Sequence, residues 1–164
     1  MGLEIERRFI VKGDDWKEFI QSRKEFRQGY LIINNDNWTV RVRIINNKEA
    51  YLTLKKPKEG ITRYEFEYPV PLNDAEDLFK AVKYSIAKTR YELIIENQYW
   101  VVDCFQGENH PLVLAEIELK YANEKIKKPN WCIKEVSNLE EWSNAALAKT
   151  PICSWPIAKK PKIL

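Results

Sequence analysis

Charged side chains recur at every second residue through much of this sequence. Read at a strand's period of two, Glu4, Glu6 and Arg8 share one face of the first such segment. The same spacing recurs in Arg41 and Arg43, in Arg63, Glu65 and Glu67, in Lys88 and Arg90, and in Glu116 and Glu118, with Lys55 and Asp103 as single charges on comparable faces. The reverse faces are aliphatic and aromatic. A dry interior would not tolerate the charged ones, because each desolvated ion costs several kcal/mol even after relaxation. One such strand reads as a water-facing surface, but a long succession of them reads as the wall of a wet, liganded lumen. Mixed charge at this density suits a polyanion carrying a divalent cation. Arginine and lysine neutralise phosphate oxygens while clustered carboxylates hold Mg²⁺ or Mn²⁺. Phosphoryl transfer asks little more of a protein than positioning and charge stabilisation. No P-loop glycine motif is present, so side chains and not a backbone nest must hold the phosphates.

The elements that carry these residues follow from alternation and turn chemistry. Strands are expected near residues 4–9, 25–34, 38–45, 51–55, 61–70, 85–93, 98–105 and 112–120. Asn34-Asn35-Asp36-Asn37 and Asn46-Asn47 read as turns, and Pro57 with Gly60 as a loop. A short helix capped at Asp14 or Asp15 is expected to carry Trp16, Phe19 and Ile20. A second, opened by an Asn73-x-x-Glu76 capping box, carries Ala75, Leu78, Phe79 and Val82, and a third, capped by Ser137 with Glu140, carries Leu139, Trp142, Ala145 and Ala146. Pro151 ends that helix, and the basic residues from Lys159 read as a solvated tail. The expected fold class is mainly β (α+β): an eight-stranded antiparallel closed barrel, a tunnel with a charged lumen and a few flanking helices.

The chain has 164 residues with 45% hydrophobic and 31% charged side chains, which bounds it to one soluble globular domain. A net charge of +3 supplies no bulk field toward nucleic acid or anionic membrane, so no nucleic-acid or membrane partner is expected and a cytoplasmic location is. Three cysteines, an odd number without a C-x-x-C pair, fit neither a disulfide framework nor a zinc site and read as small buried hydrophobes.

Glu4-Ile5-Glu6-Arg7-Arg8 resembles the E-x-E-x-K motif of the CYTH superfamily, the triphosphate tunnel metalloenzymes. The similarity continues through Arg27-Gln28-Gly29-Tyr30, Arg41-Val42-Arg43, Lys55, Arg63-Tyr64-Glu65-Phe66-Glu67, Lys88-Thr89-Arg90, Asp103 and Glu116-Ile117-Glu118, and reaches Asn144-Ala145-Ala146. It implies a single domain over 1–164, with about 150–164 as a C-terminal tail. The implied activity is hydrolysis of a small-molecule triphosphate with Mg²⁺ or Mn²⁺, foremost inorganic triphosphate as in the short bacterial members. Hydrolysis or cyclisation of an organic triphosphate, or binding without turnover, are the alternatives. By matching position, Glu4, Glu6, Asp103, Glu116 and Glu118 are implied metal ligands, and Arg8, Arg41, Arg43, Lys55, Arg63, Lys88 and Arg90 implied phosphate ligands. Tyr30 with Lys55 is the implied catalytic pair, and Glu65 and Glu67 line the tunnel. The third motif position departs from the pattern, since Arg8 replaces a lysine with a planar fork. A homodimer would cover the outer aromatic face.

Overall fold

A computed structural model describes residues 2–162. β1 (Leu3–Val11), β2 (Ile20–Asn35), β3 (Trp38–Ile45), β4 (Glu49–Glu59), β5 (Thr62–Pro69), β6 (Tyr84–Ile95), β7 (Gln98–Phe105), β8 (Val113–Glu118) and β9 (Cys132–Glu135) form one sheet in the order β5-β4-β3-β2-β6-β7-β8-β1-β9. Every pairing is antiparallel, and β1 also pairs with β5 through Leu3 to Ile5, which closes the first eight strands into the expected barrel. β9 is an addition, laid against the last residues of β1.

Asparagine makes the tight turns possible. Asn46 and Asn47, both at positive φ, join β3 to β4, and Glu96 and Asn97, again both positive, join β6 to β7. Two consecutive left-handed residues give a turn whose twist matches the strands it connects, and asparagine tolerates that region better than most residues.

Several boundaries differ from expectation. Asp15–Phe19 is a single 3₁₀ turn, and Ile20 already begins β2, because the chain must extend to pair with β6. Pro57 and Glu59 belong to β4, which continues past the proline through a register shift, so only a tight turn remains where a loop was expected. α1 (Leu72–Ala81) starts after Pro71 with no side-chain cap, so the Asn73 capping box does not form. Near the C-terminus the expected helix is broken in two: Glu140–Trp142 is a 3₁₀ turn, and α2 (Asn144–Lys149) is capped by Ser143, whose Oγ accepts from the Ala146 amide, not by Ser137. Two more 3₁₀ turns follow, and the basic segment expected as tail begins inside the second. Of the cysteines, Cys132 is buried, Cys104 half-buried and Cys153 exposed, so burial explains only part of the set.

The apolar faces pack outward, as the alternation requires. Phe9, Trp16, Trp100, Val102 and Trp131 form one cluster, and Val42, Ile44, Ala50 and Ala75 another beneath α1. α1 sits so close to β2 that a Cβ on Gly29 would lie 2.8 Å from Val82 Cγ2, which explains the glycine. On this outer side Arg27 pairs with Glu76 at 2.5 Å and stacks on Phe79. A third cluster is of a different kind. Ile10, Ile86, Phe105 and Leu114 have the strand parity of the lumen residues Arg8, Lys88, Asp103 and Glu116, and they pack with Trp142 and Leu147. Beneath α2 the lumen therefore changes from charged to apolar.

Candidate active site

The strands deliver the lumen residues in cross-strand pairs: Glu6 with Glu118, Arg8 with Glu116, Arg90 with Asp103, Tyr30 with Arg41, and Gln28 with Arg43. Arg8 spreads its three nitrogens over three acceptors. Nε donates to Glu116 Oε1 at 3.0 Å, Nη2 to Glu6 Oε1 at 2.8 Å, and Nη1 to the Trp142 carbonyl at 3.1 Å. Arg90 grips Asp103 through Nε and Nη2, both at 2.7 Å, and reaches Glu116 at 3.1 Å. Lys88 donates to Asp103 Oδ2 at 2.6 Å and to Asn144 Oδ1 at 3.0 Å. Lys55 lies 2.8 Å from both oxygens of Glu4 and 3.6 Å from Glu65. Glu67 accepts from Thr53 at 2.7 Å and lies 3.4 Å from Arg43.

One cation is different. Arg41 is 5% exposed, its Nε and Nη2 have no hydrogen-bond partner among the described residues, and the carboxylate nearest it there, Glu65, is 4.0 Å away. It faces a cavity of about 1310 Å³ lined by Glu6, Arg8, Tyr30, Lys55 and Arg63 on the barrel side, and by Trp142, Asn144 and Trp155 on the C-terminal side. A buried guanidinium without partners is costly, so the arrangement fits an anion in that cavity. Phe26 lies on the same strand face as Gln28, and the side chains of Arg43, Lys88 and Arg90 approach its ring within 5.9 Å of the centroid.

The electrostatics separate two groups of carboxylates. Burial would raise Asp103 and Glu116, but Arg90 and Lys88 on the first, and Arg8 and Arg90 on the second, hold both below the usual carboxylate range. Burial raises Glu6, and Glu116 and Glu4 raise it further; Glu118 is raised by burial, Glu4 and Glu6. Burial also lowers Lys88, to about 7, with Arg90 adding to the effect and Asp103 opposing it. Arg43 is lowered to about 10 by burial and by its neighbours Arg41 and Arg90.

These contacts bear on a divalent cation. Among the described residues no three His, Cys, Asp or Glu side chains already surround one point. The oxygens of Asp103 accept from Arg90 and Lys88, as those of Glu116 accept from Arg8 and Arg90 and those of Glu4 from Lys55. Glu6 and Glu118 fit better, since each is raised by acidic neighbours, and Glu118 makes no ion pair among the described residues. A cation would relieve that repulsion. Tyr30 and Lys55 both line the cavity, but no hydrogen bond joins them.

Periodicity did not mark Gln28, Phe26, Trp142 or Asn144 as site residues. The first two share the strand face of Tyr30 and could have been read from it. The Trp142 carbonyl and Asn144 come from a segment with no alternation to read.

A closed antiparallel barrel with a cationic and carboxylate lumen defines a tunnel-type anion-binding protein. Residues 2–148 match the CYTH domain, and the chain belongs to that family. It is 42% identical over 153 residues to a protein of Acetivibrio thermocellus named inorganic triphosphatase, covering 92% of this chain and 96% of that one. A Nitrosomonas europaea protein of the same name is 32% identical over 149 residues, covering 88% and 96%. Among solved structures, the crystal structure of an inorganic triphosphatase superposes with a TM-score of 0.65 at 31% identity, covering 93% of this chain and 99% of that one.

Proposed function

We propose that the protein is a hydrolase that splits inorganic triphosphate into pyrophosphate and phosphate within this cavity, using a bound divalent cation, Mg²⁺ or Mn²⁺. The observation that carries the reading is Arg41, buried, unpartnered and facing the cavity. Its two relatives named inorganic triphosphatase, each matched over most of its length, supply the substrate. Arg41, Arg43, Arg8 and Arg63 hold phosphate oxygens, with Lys55 released from Glu4 to do the same. Lys88 and Arg90 keep the far wall positive while anchored on Asp103. Glu4, Glu6, Asp103, Glu116 and Glu118 are the residues that would hold the cation. When bound, the cation neutralises phosphate charge as it builds in the reaction. Water attacks the terminal phosphorus, the bridging P–O bond breaks, and pyrophosphate leaves with the bond's electron pair. Tyr30 and Lys55, the proposed catalytic pair, donate hydrogen bonds to the phosphate chain in this reading, which their shared lining of the cavity supports.

The substrate is a free small molecule, and the protein is cytoplasmic, its 164 residues acting as one domain. No helix among the described residues is long and apolar enough to cross a membrane. The test is phosphate release from inorganic triphosphate, ATP and thiamine triphosphate with Mg²⁺ or Mn²⁺, with cyclic AMP measured in the ATP arm. Turnover fastest on inorganic triphosphate supports the reading; metal-independent turnover, or a faster organic substrate, overturns it.

A further inference from the structure

Gln28 is an amide buried to 0% exposure in the lumen wall, and both ends of its side chain are engaged. Its Oε1 accepts from Arg43 Nε at 3.1 Å, and its Nε2 lies 3.0 Å from the Tyr30 hydroxyl. Arginine carries donors only, so the end facing Arg43 must be the carbonyl and the end facing Tyr30 must be the NH₂. The Tyr30 oxygen is therefore the acceptor in that contact, and its own proton points away from Gln28. Tyr30 lines the cavity and is the cross-strand partner of Arg41, a buried cation whose Nε and Nη2 have no hydrogen-bond partner among the described residues.

We propose, resting on Tyr30's place in the triphosphate site, that Gln28 is a positioning residue: its amide polarity fixes Tyr30 as a hydrogen-bond donor toward the bound phosphate chain while its carbonyl holds Arg43. Tyrosine hydroxyls can donate or accept, so without a neighbour of fixed polarity the Tyr30 proton has no preferred direction. Arg43 supplies that polarity at second hand, through the single amide between them. A carboxylate in place of the amide would keep the Arg43 contact and reverse the other, drawing the Tyr30 proton back from the cavity.

The test is Gln28→Glu, Tyr30→Phe and the double variant, assayed for inorganic triphosphate hydrolysis. Gln28→Glu should lower kcat about 10-fold or more with KM little changed, which is the signature of a contact that matters in the transition state. Tyr30→Phe should lower kcat similarly, and Gln28→Glu should then cost nothing further in the Tyr30→Phe background, because the two act as one unit. A purely structural role would give losses that multiply, and that result overturns the proposal. Full kcat in Gln28→Glu with a loss in Tyr30→Phe overturns the role of Gln28 and leaves Tyr30 in the site. Full kcat in Tyr30→Phe overturns both. If Gln28→Glu does not fold, Gln28→Met, which is uncharged and of similar length, takes its place. Because it also frees Arg43, its loss of kcat must be smaller in the Tyr30→Phe background than in the unmodified protein, and an equal loss in both overturns the proposal.

Discussion

Glu6 of β1 and Glu118 of β8 are direct cross-strand partners, two carboxylates on the same lumen face at a position where like charges repel. Both titrate above the ordinary carboxylate value, Glu6 chiefly through burial and Glu116, Glu118 through burial and Glu4. A raised carboxyl pKa means the folded protein binds protons more tightly than the unfolded chain does. This contribution is full below the unfolded value near 4.5 and is lost as pH rises through the folded value. Glu6→Gln removes the repulsion and keeps an acceptor for Arg8. It is expected to raise the melting temperature of the metal-free protein near neutral pH while abolishing metal-dependent phosphate release. Calorimetry in chelator, with and without added Mn²⁺, checks this; a lower melting temperature contradicts it.

Arg41 presents the opposite case, a buried charge that the proposed function assigns to a phosphate. Arg41→Met should leave stability unchanged or raised, since no ion pair closer than 4.0 Å is broken. Triphosphate binding should weaken by about 1.5–3 kcal/mol, the usual worth of a charge-assisted hydrogen bond. Titration calorimetry with inorganic triphosphate measures that loss, and an unaltered Kd would remove Arg41 from the phosphate site.

Asp103 is 0% exposed and bears on two cations, the buried Lys88 and the half-buried Arg90. Asp103→Ala leaves Lys88 and Arg90 uncompensated and is expected to cost about 3–5 kcal/mol in urea unfolding. If Asp103 were held mainly for metal, its loss would instead cost little in chelator.

Lys88 sets a second pH window. Its folded pKa of about 7 lies below the ordinary lysine value of 10.5, so between these values the unfolded chain carries a proton that the folded protein lacks. Stability should therefore rise with pH across that window, and Lys88→Met should flatten the rise. Thermal melts at steps from pH 6 to about 10 read the slope directly. A slope of equal size in Lys88→Met would place its origin elsewhere.

Period-two alternation made the charged lumen legible because parity alone decides which wall of a barrel a side chain joins. Arg41, Arg43, Lys88, Arg90 and the glutamates all fall where that parity puts them. Parity says nothing of who sits across the strand, and so it does not show that Asp103 is gripped by Arg90 and Lys88. Its cross-strand partner Arg90 was within reach, since the Glu96–Asn97 turn fixes the register of β6 on β7. The β2–β3 pairing was less accessible, because register shifts after Tyr30 and Ile32 hide the opposition of Gln28 and Arg43 from any count back from the turn. The contacts of Arg8 with the Trp142 carbonyl and of Lys88 with Asn144 depend on an irregular segment whose path no periodicity describes.

β1 leaves the ribosome first, yet it bonds to β5, β8 and β9. Leu3 to Ile5 can pair with β5 once it is made, but the ring cannot be sealed until β8 follows, so Glu6 and Arg8 wait for their cross-strand partners while most of the chain is synthesised. The β2–β3, β3–β4, β4–β5 and β6–β7 hairpins can form as they emerge, and the closing step is a long-range pairing of the kind that slows folding. The far half of β1, among the first residues made, is thus among the last to be paired, and Glu6 meets Glu118 and Arg8 meets Glu116 only when the ring closes.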